Sequence, residues 1–281
     1  MTKTAHPISI LILTLNEQSN IEAVLESVRT FQDVVVYDSY STDNTVSLAQ
    51  ALGARIVQRT FDNWAAHQNW ALANIEFRNP WVFYLDADER MTPALEEEIV
   101  GIAADPDDAH VGYYCGRDNY FMGRLIRHCY PPVPILRFFK PRHVTYERLV
   151  NPITHVDGPV GQLRHRFLHY NFSKGLTEWI DKHNKYSLAE AMEAIRVADE
   201  GTARVSDLFH GDKAARRAAL KRLAWKLPMR PWLKFFWLYF VRGGFLDGRP
   251  GLVYCRLQSI YEYFIVLKVK ELRLKRQGRQ L

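Results

Sequence analysis

The sequence predicts an α/β fold: a mainly parallel sheet flanked by helices, Rossmann-like in its alternation, followed by a basic, aromatic helical extension. Three observations carry this. Short aliphatic runs alternate with segments of helical apolar spacing up to about residue 105, the pattern of right-handed βαβ crossovers. Two of those runs end in acids, Asp38 and Asp86, where strands deliver side chains to the carboxyl edge of an open sheet. Positive charge collects at one end. Residues 213–281 hold 17 Lys+Arg against 3 Asp+Glu, whereas the rest of the chain holds 20 against 28.

The elements follow in order. Ile8–Leu15 is an unbroken apolar run, a buried strand. Ile21, Val24, Leu25 and Val28 mark one helical face that Ser19 or Asn20 can cap. Val34–Tyr37 is the second strand. Thr45–Leu52 is helical and stops at Gly53, a natural residue just past a helix end. Ala54–Val57 forms the third strand, Trp64–Asn74 a helix, and Trp81–Leu85 the strand that runs into Asp86-Ala87-Asp88-Glu89. Pro93 opens a helix whose Glu96, Glu97 and Glu98 favour its N-terminal half. Beyond residue 105 the alternation breaks. Gly112–Cys115 and Ile135–Phe139 are expected as strands around an aromatic, basic loop, with Pro131–Pro134 stiffening the entry to the second. Trp179–Val197 is an expected amphipathic helix.

At 281 residues, 47% hydrophobic and 24% charged, the chain can bury a full core and is not disordered. Cys115, Cys129 and Cys255 are too few and too scattered for a disulfide framework or a zinc site, which fits a reducing cytoplasm. The run Ile8–Leu15 follows Lys3 and His6 with no small-residue cleavage site after it, so no secretory leader is expected.

Three acids within Asp86–Glu89 repel one another unless something positive sits between them. A strand feeding carboxylates into a loop presents oxygen ligands for a hard divalent cation, Mg²⁺ or Mn²⁺, and such a metal commonly serves a phosphorylated substrate. The glycine-rich loop that usually cradles a dinucleotide is absent, so a carboxylate-bound metal at Asp86/Asp88 is the candidate for neutralising a diphosphate. Asp38, closing the second strand, can accept hydrogen bonds from a nucleoside; alone it would be an ordinary turn or capping residue.

On these residues the chain resembles family 2 glycosyltransferases of the GT-A fold. The segments concerned are Ser9–Asn16 with its Thr14-Leu15-Asn16-Glu17 ending, Val36–Thr45 with Asp38-Ser39-Tyr40-Ser41-Thr42-Asp43, and Leu85–Arg90. It is similar in particular to lipopolysaccharide core β-glucosyltransferases of the WaaE/KdtX type. That likeness runs through Phe61–Leu72, Arg137–Lys140 and Gly158–Tyr170 to Gly243–Leu252. The resemblance implies an inverting, metal-dependent transfer from a nucleotide-diphosphate sugar, UDP favoured, to a saccharide or lipid-linked acceptor of the cell envelope. It implies a donor pocket of Thr14, Leu15, Asn16, Glu17, Asp38, Ser39, Asp86 and Ala87, with Asp38 at the base, Asp86 at the ribose and Asp88 on the metal. It also implies three regions: 1–104 for the donor, 105–212 for the acceptor and a linking helix, and 213–281 as the extension.

Inversion needs a general base opposite the leaving nucleotide. The subgroup takes it from a His-Glu pair before a glycine-containing stretch; here Tyr146-Glu147 precedes Gly158–Gly161, and Asn151–His155 looks inserted. Glu147 is the expected base, with Asp157 the rival and an ion pair to Arg148 its alternative role. Arg124, Arg127 and Arg137, with Lys140, are candidates for a phosphorylated acceptor or the departing diphosphate. Gln68 stands where the subgroup often has arginine. His155, His165 and His169 fit no zinc motif and are taken as structural.

Twelve aromatic residues lie between Trp225 and Phe264 among Lys and Arg, and the longest uncharged run there, Phe235–Val241, is far short of a membrane span. Such a segment suits an anionic membrane surface, or packing within the chain or in a homo-oligomer through 213–281. A nucleic-acid surface is the third reading, and nucleic acid is not expected as a partner. The expected location is therefore peripheral, on the inner face of the cytoplasmic membrane. Rival activities are a sugar transferase acting on polyprenyl phosphate, a haloacid-dehalogenase-type phosphohydrolase, which wants a different context after its D-x-D, and a non-enzymatic scaffold for a nucleic-acid-binding tail.

Overall fold

The computed structural model describes residues 6–130, 132–147, 153–199 and 229–280. Pro131, Arg148, Leu149, Asn151 and the 213–228 part of the expected extension lie outside them. The chain divides into two compact units, Met1–Tyr120 with Pro132–Ser173, and Phe121–Pro131 with Lys174–Leu281.

In the first unit, β1 (Ile8–Thr14), β2 (Asp33–Asp38), β3 (Arg55–Gln58) and β4 (Trp81–Asp86) pair in parallel in the order β3-β2-β1-β4. The sheet continues through β8 (Ile135–Phe139), β6 (Gly112–Phe121) and β11 (Val160–His169) to the two-residue β5 (Glu89–Arg90). β8 and β5 run antiparallel to their neighbours, and β6 and β11 are parallel. The sheet is therefore mainly parallel. Period-two alternation sends Ile8, Ile10, Ile12, Val36, Phe83 and Leu85 to one face. There they pack against α1 (Ile21–Ser27), α2 (Thr45–Ala51) and α4 (Pro93–Ala104). Leu11, Val35, Tyr37, Val82 and Tyr84 go to the other face, under α3 (Trp64–Asn74) and β9 (Val144–Glu147). β9 pairs with β10 (Ile153–Val156) as a separate antiparallel ribbon. Asn63 caps α3 through the amide of Ala66, and Thr92 caps α4 through that of Leu95.

The parallel strands fall where their aliphatic runs predict. β6 extends well past Cys115, and β9, β10 and β11 were not foreseen. β11 escapes a hydrophobic reading because Arg164, His165 and Arg166 occupy its middle, while only Leu163, Phe167 and His169 turn inward.

The second unit contains β7 (Arg124–Ile126), reached by a turn at Met122–Gly123, and two long helices, α5 (Gly175–Asp199) and α7 (Gly248–Arg276). Lys268 on α7 donates to Asn184 Oδ1 at 2.6 Å and to Ser187 Oγ at 2.8 Å on α5. Between them in sequence, α6 (Arg230–Phe236) runs on through a wide π turn, Trp237–Val241, into a 3₁₀ turn, Gly244–Asp247. α6 packs on α7 through the Arg230–Glu262 ion pair and a hydrogen bond from Ser259 Oγ to the Pro231 carbonyl. At the crossing a Cβ on Gly244 would meet the Leu238 carbonyl at 2.7 Å and Cys255 Sγ at 2.9 Å, so only glycine fits. Asp247 accepts from the amides of Arg127, His128 and Cys129 at 2.9–3.0 Å and faces His128 Nδ1 at 2.7 Å. Burial would raise its carboxyl, but these donors hold it down at about 2. Among the described residues, no helix is long and apolar enough to cross a membrane.

Candidate active site

β2 and β4 flank β1, with Thr14 opposite Asp38 and Leu13 opposite Asp86. The two acids therefore stand at one sheet edge, about 10 Å apart across two strand spacings. This edge is the carboxyl end of the parallel strands, where an open α/β sheet binds its ligands.

The loops leaving β1 and β2 are stitched together side chain to backbone. Asn16, at φ 54°, accepts from the Thr42 amide at 2.8 Å and gives its own amide to Ser41 Oγ at 2.8 Å. The Glu17 amide donates to Thr45 Oγ1 at 2.7 Å, and that of Gln18 to Asp43 at 3.1 Å. The Asp38 carboxylate is fully buried. It accepts from Thr14 Oγ1 (2.9 Å), the Ser41 amide (2.9 Å), Gln58 Nε2 (3.0 Å) and Ser41 Oγ. Ser39 lies 3.3 Å from His67 Nε2, in a cluster where His67 stacks on Tyr37 and faces Arg59. Burial, aided by Arg59, drops His67 to about 4, so it is neutral. Leu15 is half exposed and Ala87 is buried.

Around Asp86 the charges are mutually fixed. Tyr84 Oη donates to Asp86 Oδ1 at 2.7 Å, and Arg137 Nη2 donates to Asp86 Oδ2 at 2.8 Å and to Glu89 Oε1 at 2.7 Å. Glu89 Oε2 accepts the Asp86 amide at 2.8 Å. Burial lifts the Glu89 carboxyl to about 8 against the pull of Arg137. Burial also opposes the Arg137 charge, but Glu89 and Asp86 hold the guanidinium protonated, well above its ordinary value. Arg137, expected to reach a phosphate, is only 4% exposed and lies 4.1 Å over the Tyr84 ring. Its place on β8, in the middle of the sheet, sets it against the acids of β4 and β5.

Asp88 sits one turn further out. The pairing of β5 with β11 sets His169 opposite Glu89, and its Nε2 lies 3.6 Å from Asp88 Oδ2. His169 Nδ1 meets Asn119 Oδ1 at 2.8 Å, which orients the ring with Nε2 toward Asp88. A carboxylate oxygen and an imidazole nitrogen so placed suit one divalent ion. Ligands about 2.1 Å from an octahedral metal stand about 3 Å apart, which asks for only a small adjustment. Among the described residues no three His, Cys, Asp or Glu form a complete cage, so such an ion would keep positions for water or phosphate oxygens. Arg90 closes the loop from behind, donating to the Ala87 carbonyl at 2.7 Å and lying over Tyr170.

The remaining expected residues lie on other elements. Glu147, on β9, is 68% exposed at its side chain and pairs with His155 Nε2 at 3.1 Å across the ribbon. The adjacent Tyr146 points the other way, into the sheet, where burial pushes it up to about 12 and where Arg137 and Asp86 act on it. Asp157 is exposed beyond β10, its carbonyl 2.8 Å from His143 Nδ1. Arg124 and Arg127 belong to the second unit and are exposed. Sequence reasoning gave Tyr84 and Glu89 no role at the site and took His169 as structural. Glu89 was in view as part of the acidic run. His169 carried one usable signal, its place at the end of Gly158–Tyr170, a stretch singled out by resemblance.

Residues 9–172 match the family model described as glycosyl transferase family 2. Among curated relatives, the lipopolysaccharide core biosynthesis glycosyltransferase LpsC of Rhizobium meliloti is 26% identical over 276 residues, covering 94% of this chain and 92% of its own. The uncharacterized glycosyltransferase RT0209 of Rickettsia typhi is 25% identical over 281 residues, covering 95% and 88%. Among solved structures, glucosyl-3-phosphoglycerate synthase of Mycobacterium tuberculosis, in complex with Mn²⁺, UDP-glucose and phosphoglyceric acid, gives a partial likeness. Its identity is 23% and its TM-score 0.32, over 42% of this chain and 45% of that one.

Proposed function

The chain belongs to glycosyltransferase family 2, and from that premise we propose that it inverts the anomeric centre of a sugar carried from a UDP-sugar to a lipid-linked saccharide of the cell envelope, met at the inner face of the cytoplasmic membrane. The observation that carries this reading is that strands β2 and β4 end in Asp38 and Asp86 at the carboxyl edge of one sheet, with the Asp88–His169 pair just beyond Asp86. Asp38 and Ser39 receive the base, Asp86 the ribose, and the stitched loop of Thr14, Leu15, Asn16 and Glu17 walls the nucleotide. Tyr84 and Arg137 hold the Asp86 carboxylate in one orientation while it does so. Asp88 and His169 would hold Mg²⁺ or Mn²⁺. That ion would supply charge neutralisation at the diphosphate as it leaves.

Glu147 takes the proton from the acceptor hydroxyl. Its support is an open carboxylate with an imidazole partner: His155, from the facing strand, provides the histidine that the Tyr146-Glu147 sequence lacks. Glu147→Gln is expected to lower turnover by roughly 10²- to 10⁴-fold while donor binding is kept. Steady-state transfer assays beside donor titrations measure both. A Gln variant of near-parental activity would hand the role to Asp157.

The reading as a whole is tested by thermal unfolding in a panel of nucleotide sugars with and without Mn²⁺. A UDP-sugar with metal is expected to raise the midpoint by several degrees at saturation, more than either alone. Indifference to every nucleotide sugar would remove the donor assignment. Product analysis with saccharide and with polyprenyl phosphate acceptors then decides between the two acceptor classes.

A further inference from the structure

On a water-soluble helix the outward face carries the polar residues. Residues 230–241 reverse this. The inward positions are Pro231, Lys234, Phe235, Leu238 and Tyr239, of which Leu238 is buried and the rest half-buried. The outward positions follow at helical spacing: Trp232, Leu233, Phe236, Trp237, Phe240 and Val241. All six are apolar and each is roughly half exposed or more, Trp232 at 68%. The 3₁₀ turn prolongs the patch with Phe245 and Leu246. An uncharged face of this size on a solvent-exposed helix marks a contact surface.

The charges around it select the occupant. Between Met229 and Leu267 the acids are Asp247 and Glu262, and both are turned inward. The Asp247 side chain is 3% exposed and spent on the 127–129 amides; that of Glu262 is 12% exposed and paired with Arg230. Lys234 stays half-buried, and Arg242, Arg249 and Arg256 stay exposed. The patch is therefore bordered by positive charge with no exposed acid among the described residues of this stretch. A second copy of the same surface would bring like charges together. An anionic bilayer would not: its headgroups match the Arg and Lys border, and its acyl boundary takes the Trp and Phe rings.

We propose that the outward face of residues 232–246 is a monotopic anchor that lies flat in the headgroup region of an anionic membrane. Twelve helical residues reach only about 18 Å, well short of the roughly 30 Å hydrocarbon core, so the segment lies in the interface and does not cross.

The test uses the full chain and sedimentation with lipid vesicles of pure phosphatidylcholine or of phosphatidylcholine mixed with phosphatidylglycerol. Binding to the mixed vesicles, weakened by salt and much poorer on pure phosphatidylcholine, is expected. The triple variant Phe236→Ser/Trp237→Ser/Phe240→Ser and the variant Arg242→Glu/Arg249→Glu are each expected to bind about tenfold or more weakly. Their circular dichroism and melting should match the parent, since these side chains point outward. The proposal is overturned if the parent ignores the mixed vesicles or if the triple variant binds them as well as the parent does. It is equally overturned if, without lipid, the triple variant turns a dimer into a monomer while vesicle binding is unchanged. Donor-dependent thermal stabilisation is read separately, so loss of the anchor and loss of the sugar-transfer reading remain distinguishable.

Discussion

Asp88→Ala is expected to abolish Mn²⁺-dependent stabilisation by a UDP-sugar and to lower transfer on the order of a thousandfold, the scale of removing one charge-stabilising group from an active site. The fold is expected to survive. It is the Asp88 carbonyl, not its carboxylate, that accepts the Tyr170 amide at 2.8 Å, so truncation leaves that backbone link intact. His169→Ala should reproduce much of the effect, because His169 Nε2 is the other donor 3.6 Å away. Thermal unfolding with and without Mn²⁺ reads both variants. Equal stabilisation of parent and Asp88→Ala by donor plus metal would take Asp88 out of the mechanism.

Arg137→Met is expected to have the largest effect on stability. It strands Glu89, fully buried, and Asp86 without the guanidinium that bonds both at 2.7–2.8 Å. Removing the guanidinium costs about 1 to 3 kcal/mol, because Glu89, already lifted to about 8, takes up a proton and two carboxyl groups lose a buried donor. Chemical denaturation measures the loss. The double variant Arg137→Met/Glu89→Gln is expected to recover a good part of it, since a buried amide no longer calls for a cation beside it. A loss under about 1 kcal/mol for the single variant would mean that the pair matters little.

How much of this was legible in the sequence follows from how local each signal is. The parallel half announced itself because β1, β2 and β4 are buried on both faces, which forces aliphatic runs, and because glycine, proline and capping residues punctuate them. β11 hid behind Arg164, His165 and Arg166, since only one of its faces meets the core. At the site, Asp38, Asp86 and Asp88 were visible as acids ending strands, a pattern contained within a few residues. The roles of Arg137 and His169 were not. Their partners are set by sheet order, with β8 inserted beside β4 and β11 beside a two-residue β5, and no local pattern encodes that order. Glu147 was singled out by resemblance to the subgroup's His-Glu pair, whereas its neighbour His155 emerges only from the cross-strand register of β9 and β10.

The seam joining Asn16 and Gln18 to Ser41, Thr42 and Asp43 means that a nucleotide would meet a seat already cut. Little chain freedom is surrendered when rigid parts dock. Discrimination among nucleotides would then lie in how fast the wrong ones depart, not in how slowly the loops fold around the right one.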